Sequence, residues 1–285
     1  WKPNERIVGM FEAEPDDSET SGWQLKYQTL ITSPKTIQLA GKHKVGGVRP
    51  INVPKSKVLK KNRQDGLTLQ TAAMARILSD RGTSIAVANN TDWVWNMARR
   101  VSETLEPLAP VPHEIVLVQK FLSTEISNDF ELIEMLSRGV GVHHSGLSDE
   151  VRALIEWLAE EGKLRVLCAT TTIAQGINFP VSSVFLTSNK FPYGQEMSPR
   201  EFWNLAGRAG RMNHDSVGVV GLAAGNEPEK VVEYVQRATG ELVSRLVNLL
   251  NELEKTGRLN DLETVIQEEQ WEDFRCYVAH LWNEK

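Results

Sequence analysis

Between Ser84 and Ala223 the sequence alternates short apolar runs with stretches of helical periodicity, and few architectures accept that alternation. Ser84–Ala88, Val140–His143, Leu164–Ala169, Ser183–Thr187 and Val217–Ala223 read as strands. Val151, Leu154, Ile155 and Leu158 follow the i, i+3, i+4, i+7 spacing of one buried helix face, with Ser148 or Asp149 able to cap it. A further helix is expected from Asp92, burying Val94, Ala98, Val101 and Leu105. Strands alternating with such helices predict an α/β fold, a parallel sheet flanked by helices. These apolar stripes are core and carry no ligand role.

The flanks differ in character. Net charge is +5 over residues 1–65, −4 over 66–225 and −6 over 226–285, within a total of −5. The first segment holds an acidic stretch (Glu12, Glu14, Asp16, Asp17, Glu19), then apolar–polar alternation around Leu25–Ile31 and Thr36–Leu39, as in exposed strands. Eight Lys or Arg then fall between Lys42 and Arg63 with no carboxylate among them. That run suits either a solvated, proline-punctuated linker or a surface lying against phosphates. After Asn226 the pattern turns helical, with Val231, Val235, Leu242, Leu246, Leu249 and Leu253 at helical intervals, a stop at Thr256-Gly257, and a shorter helix carrying Trp271, Phe274 and Tyr277. Three parts are expected: an N-terminal linker or accessory segment with strands over 1–65, an α/β domain over 66–226 and a helical extension over 227–285.

Composition narrows the class. A hydrophobic fraction of 41% with 24% charged residues belongs to a globular protein rather than a disordered one. No apolar run approaches the ~18 residues of a membrane span, and the opening Trp1-Lys2-Pro3-Asn4-Glu5 lacks a secretory pattern, so a cytoplasmic protein is expected. Cys168 and Cys276 stand far apart without a C-x-x-C, against a disulfide scaffold or zinc ribbon. A chain that starts on Trp with no obvious element start is expected to be a segment of something longer.

Three stretches carry chemistry. In Asn204-Leu205-Ala206-Gly207-Arg208-Ala209-Gly210-Arg211, two arginines three apart share a face, and the small residues between them let another surface approach. Paired guanidiniums there suit a multi-oxygen anion such as a nucleotide polyphosphate. Ser198, Pro199 and Glu201 form a capping box at the start of the helix that places them. Second, the strand Val166–Ala169 ends in Thr170-Thr171-Thr172 and runs on to Gly176-Ile177-Asn178-Phe179-Pro180. Hydroxyls and free backbone N–H groups beyond a strand's carboxyl end can hold a phosphate without reading a base; simple capping is the alternative. Third, Gly141-Val142-His143-His144-Ser145-Gly146-Leu147 ends a strand in polar residues before a glycine turn. Adjacent histidines on a strand point to opposite faces, so they are not expected to share a metal. One should be packed or hydrogen-bonded, the other near the sheet rim.

Together these stretches resemble the second RecA-like domain of superfamily 2 DExH/DEAD-box helicases, in the superkiller-type branch. Ile85–Asn90 resembles motif IV, His143–Leu147 the HHxGL element, Ala169–Pro180 motif V and Asn204–Arg211 motif VI. The likeness covers roughly 66–225. It implies that Arg208 and Arg211 reach the nucleotide γ-phosphate across an interdomain cleft, Arg211 as the arginine finger. It implies that Asn204, Gly207, Gly176 and Asn178 line the nucleotide cleft, and that Thr170, Thr171, His144, Ser145 and Gly146 lie along the nucleic acid. Asn204 stands where the family usually has Gln. Further implications are ATP and Mg²⁺ bound mainly by a first RecA-like domain, a single-stranded substrate with RNA slightly favoured over DNA, 3′-to-5′ translocation and a monomer.

Motor chemistry also needs a phosphate-cradling G-x-x-x-x-G-K-[ST] loop and an acidic D-E-x-H-type box. This sequence has neither: Gly41-Lys42 is followed by His43, and Thr36 occupies the upstream glycine position. The chain is therefore expected to be the carboxyl half of an ATP-dependent helicase, inactive by itself. The alternative is a non-catalytic, helicase-derived module that binds nucleic acid or protein. A dinucleotide enzyme lacks its G-x-G-x-x-G.

Overall fold

The computed structural model describes residues 6–15, 23–32, 37–45, 64–174, 181–191, 194–210, 217–223 and 229–235. Its strands are β1 (Arg6–Pro15), β2 (Trp23–Thr32), β3 (Ile37–Lys44), β4 (Ser84–Ala88), β5 (Val140–His143), β6 (Val166–Thr170), β7 (Ser183–Leu186) and β8 (Gly218–Ala223). Its helices are α1 (Gln64–Leu78), α2 (Thr91–Ser102), α3 (His113–Glu125), α4 (Glu131–Ser137), α5 (Asp149–Glu160) and α6 (Pro199–Ala206), with 3₁₀ turns at Ser79–Arg81 and Thr171–Ala174. Residues 229–235 are helical.

All eight strands form one sheet in the order β3-β2-β1-β8-β7-β4-β6-β5. From β1 to β5 every neighbouring pair is parallel, and β2 and β3 extend the sheet as antiparallel strands. The five parallel strands β4 to β8 are buried at every residue, which is why they read as unbroken apolar runs. The chain leaves β4 toward β5 on one side and leaves β7 toward β8 on the other. Right-handed crossovers then put α1 and α2 on one face and α5 and α6 on the opposite one. The architecture is a RecA-like α/β fold.

The expected elements recur with small shifts at their ends. Ser148, not Asp149, caps α5, its hydroxyl accepting from the Val151 N–H at 3.3 Å. Asn90 caps α2 by accepting from Trp93 N–H at 2.8 Å. The capping box at α6 forms, with the Glu201 carboxylate accepting from Ser198 N at 2.7 Å. Leu105 is buried as expected but lies past the end of α2.

The acidic stretch behaves differently from a solvated run. Glu12 and Glu14 belong to β1, on a face where Lys26 of β2 and Lys42 of β3 meet them; Lys26 Nζ lies 2.8 Å from Glu14, and Lys42 pairs with both carboxylates. Hydrogen bonds from Lys26, then Lys42, hold the Glu14 carboxyl down at about 2. Lys42 thus serves the sheet rather than a phosphate, and residues 46–63 of the basic run lie outside the described residues. Behind this ladder Phe11 packs edge-to-face on Phe185 of β7, 5.6 Å between centroids. Gly221 of β8 makes the contact possible: a Cβ there would sit 2.8 Å from the Phe11 ring and 2.9 Å from the Phe185 ring. Tyr27 donates from its hydroxyl to the Val220 carbonyl at 2.5 Å, tying β2 across β1 to β8. The helical tail expected after 235 lies outside the described residues.

Candidate functional site

The chemistry-bearing residues fall at two opposite edges of the parallel sheet. At the carboxyl ends, Thr170 closes β6 beside Ala88 of β4, and Thr171 opens the following 3₁₀ turn. Both are buried, and the Thr171 hydroxyl has no hydrogen-bond partner among the described residues. Ser145 and Gly146 are exposed in the turn after β5.

The two histidines diverge as strand geometry demands. His143 Nε2 meets Glu156 Oε1 of α5 at 2.7 Å, whereas His144 packs edge-on against Trp95 of α2, 5.9 Å between ring centroids. Gly146 N donates to His144 Nδ1 at 3.0 Å, so the neutral ring carries its proton on Nε2, which is buried without a partner among the described residues. Arg99 lies 6.0 Å from the centroid of the Trp95 ring and forks onto Glu131 at 2.7 Å. Among the described residues no group of three or more His, Cys, Asp or Glu is placed to hold a metal ion.

Burial lowers the pKa of His143 below the ordinary 6.5, against the opposing pull of Glu156; burial, then the neighbouring His143, lowers His144. Unfolding frees both rings to take up protons that the fold rejects. Their neutral state therefore stabilises the protein fully above about pH 6.5, and that contribution is lost on acidification toward the depressed folded values. The melting temperature should fall between about pH 7.5 and 5.5 more steeply in the parent than in His144→Gln. Equal slopes would mean that this ring does not couple folding to protons.

The arginine turn occupies the other edge. Helix α6 starts near the carboxyl ends of the strands, where Met197 N donates to Asn189 O at 2.7 Å, and runs back along the sheet. It ends at Gly207, beside Val181, which precedes β7. Val181 N donates to Arg208 O at 3.2 Å, and Gly210 N donates to Val181 O at 2.7 Å. Gly210 has φ +83°, a left-handed conformation that glycine adopts without strain. Arg208 is half-buried, Asn204 is exposed on α6, and Gly207 closes the helix. Arg208 and Thr170 are thus separated by about the length of a five-residue strand, roughly 15 Å. Helix α6 spans that distance and packs against the Thr171–Ala174 turn.

Residues 112–213, which contain both edges, match the model of the helicase conserved C-terminal domain. Over this stretch the chain is similar to helicase C-terminal domains. The chain is 40% identical over 109 residues to the antiviral helicase SKI2 of Saccharomyces cerevisiae, covering 37% of this chain and 8% of that protein. It is 31% identical over 155 residues to the Hachiman protein HamB of Bacillus cereus (52% and 14%) and 31% over 166 residues to the ATP-dependent DNA helicase Hel308 of Thermoplasma volcanium (55% and 23%). The matches therefore span less than a quarter of each of these relatives. Among the described residues no helix is long and apolar enough to cross a membrane.

Within this stretch, Arg208, Asn204, Gly207, Thr170, Thr171, His144, Ser145 and Gly146 are located as described; Gly176, Asn178 and Arg211 lie outside the described residues. Sequence reasoning missed Arg6, Trp95 and Glu156. Glu156 sits on the helix after the HHxGL turn, a proximity that the capping serine foreshadowed.

Proposed function

We propose that this domain is the second half of an ATP-dependent motor that moves along a single strand of nucleic acid. Its amino-end edge faces a nucleotide cradled by a first RecA-like domain, and its carboxyl-end edge faces the strand. The observation that carries the reading is the separation of the arginine turn from the threonine and histidine edge, with one helix joining them.

At the nucleotide edge, Arg208 and Arg211 donate to phosphate oxygens, Arg211 as the finger. A guanidinium aimed at the transferring group stabilises charge that develops only in the transition state. The fit of the described residues to a polyphosphate is that of a turn fixed on three sides, with small neighbours at Gly207, Ala209 and Gly210. Asn204, Gly207, Gly176 and Asn178 line the same cleft. Mg²⁺ would be held by the other domain, where it neutralises phosphate charge.

At the strand edge, Thr170, Thr171, Ser145 and Gly146 offer hydroxyls and backbone N–H groups to the sugar–phosphate chain, beside His144. Such contacts fix position without reading bases. Because α6 packs against the threonine turn, a shift of the arginine end on nucleotide release moves the surface that grips the strand. RNA is favoured slightly over DNA, as the resemblance to the superkiller-type branch implies; a cytoplasmic monomer and 3′-to-5′ movement complete the reading.

Fluorescence anisotropy on labelled single strands tests the strand edge. Affinity should fall steeply as salt is raised from about 50 to 200 mM and should vary little with base sequence, because phosphate contacts release counterions. A salt-insensitive, sequence-selective interaction would contradict backbone tracking. ATP hydrolysis by the intact helicase, stimulated in parallel by RNA and DNA, ranks the two substrates. No stimulation by either would favour the non-catalytic binding module.

A further inference from the structure

Arg6 stands at the first position of β1, opposite Gly218 at the foot of β8, and so at the same edge of the sheet as the arginine turn. Its Nη2 donates to the Gly207 carbonyl at 2.9 Å and its Nε to the Ala209 carbonyl at 3.1 Å. These are the two carbonyls on either side of Arg208. A guanidinium is planar and rigid, so both donors move as one body and fix the backbone before and after Arg208 to a single plane. The positive charge also sits where α6 ends and its last carbonyls point outward, the favourable end of the helix dipole for a cation.

The other contacts of the turn come from the sheet. Val181 holds it through two backbone hydrogen bonds. Gly218 lies flat beneath it: a Cβ there would fall 2.6 Å from the Ala209 carbonyl carbon and 2.7 Å from Gly210 N. The turn is thus held by backbone hydrogen bonds to Val181 just before β7, closely approached by Gly218 of β8, and tied to β1 through one side chain.

We infer that Arg6 is a positioning residue for catalysis, one that sets the direction in which Arg208 leaves the turn. The inference rests on the reading of Arg208 as a phosphate contact. Arg6 itself spends its fork on the Gly207 and Ala209 carbonyls. Its removal frees both carbonyls and lets the turn rotate about the Val181 contacts. The loss should then appear in turnover more than in nucleotide binding, because a displaced guanidinium can still meet a phosphate but not in the transition-state geometry.

A double-mutant cycle in the intact helicase, with saturating single strand, tests this. Arg6→Ala should lower kcat about tenfold with little change in KM for ATP. Arg6→Lys keeps the charge but cannot span two carbonyls, and should remain well below the parent. Combined with Arg208→Ala, either Arg6 variant should add less than about a twofold further loss, since the positioned side chain is already gone. If the losses multiply, Arg6 acts elsewhere and the inference fails while Arg208 keeps its role. If Arg208→Ala alone turns over as fast as the parent, the reading of Arg208 fails and the inference falls with it. Melting temperatures show which variants are folded; should Arg6→Ala not fold, Arg6→Lys carries the cycle, and a parental kcat in that variant overturns the inference.

Discussion

Replacing Arg211 with alanine in the intact helicase is expected to cut nucleic-acid-stimulated ATP hydrolysis by at least about tenfold, and Arg208→Ala to do likewise. Fingers of this kind contribute about 10³–10⁵ in GTPase systems, so tenfold is a lower bound. The size follows from where the charge acts. On the proposed reading, negative charge spreads over the oxygens of the transferring phosphoryl group in a cleft closed to water, where a fixed cation would meet little dielectric screening. The loss should appear in turnover with the fold kept, because the charge acts on the transferring group. Steady-state kinetics with matched melting curves checks both parts. Unchanged rates in both variants would remove the finger assignment.

Phe11→Ala is expected to destabilise the protein by about 3–5 kcal/mol. Phe11 is 1% exposed, its ring stands edge-on to Phe185, and Gly221 leaves no side chain to move into the space it vacates. The hole would therefore persist, and the cost includes the cavity as well as the lost burial. The variant tests whether β1 is part of the same core as the central strands. Denaturant midpoints should show one cooperative transition at lower denaturant. A change under about 1 kcal/mol would mean that the core closes without β1.

The central sheet was legible because β4 to β8 are buried on both faces and so leave runs that no surface residue interrupts. The caps were legible for a local reason: Ser198 and Glu201 satisfy each other's backbone within one turn. Strand β1 was not legible, because Glu12 and Glu14 look solvated until Lys26 and Lys42 arrive from other strands. Helix α3 was hidden too, since Ile115, Val116, Leu117 and Val118 are consecutive and mask the period; Val116 and Leu117 are in fact exposed. Helix α1 packs small residues, Ala72, Ala73 and Ala75, whose burial carries little periodic signal.

In the candidate site, residue types and their order were legible but their distribution over two edges was not. Sequence order by itself leaves the arginines and the threonines free to share one end of the sheet. The parallel bridge between Val181 and Ala209 sets Arg208 at the amino-end edge instead, and such a long-range pairing leaves no mark in local sequence. Arg6 was invisible for the same reason: its two acceptors lie about two hundred positions away. His144 shows the reverse case, where a polar residue at a strand end proved to be packed against Trp95 and still held one buried nitrogen without a partner among the described residues.

The most direct measurement is ATP hydrolysis by this chain alone, set beside the same assay on the longer helicase, each with and without single strand. Negligible turnover is expected of the chain, and strand-stimulated turnover of the longer protein. Robust hydrolysis by the chain alone, with contaminating ATPases excluded, would contradict it, because the arginine edge would then be working without the domain that cradles the phosphates.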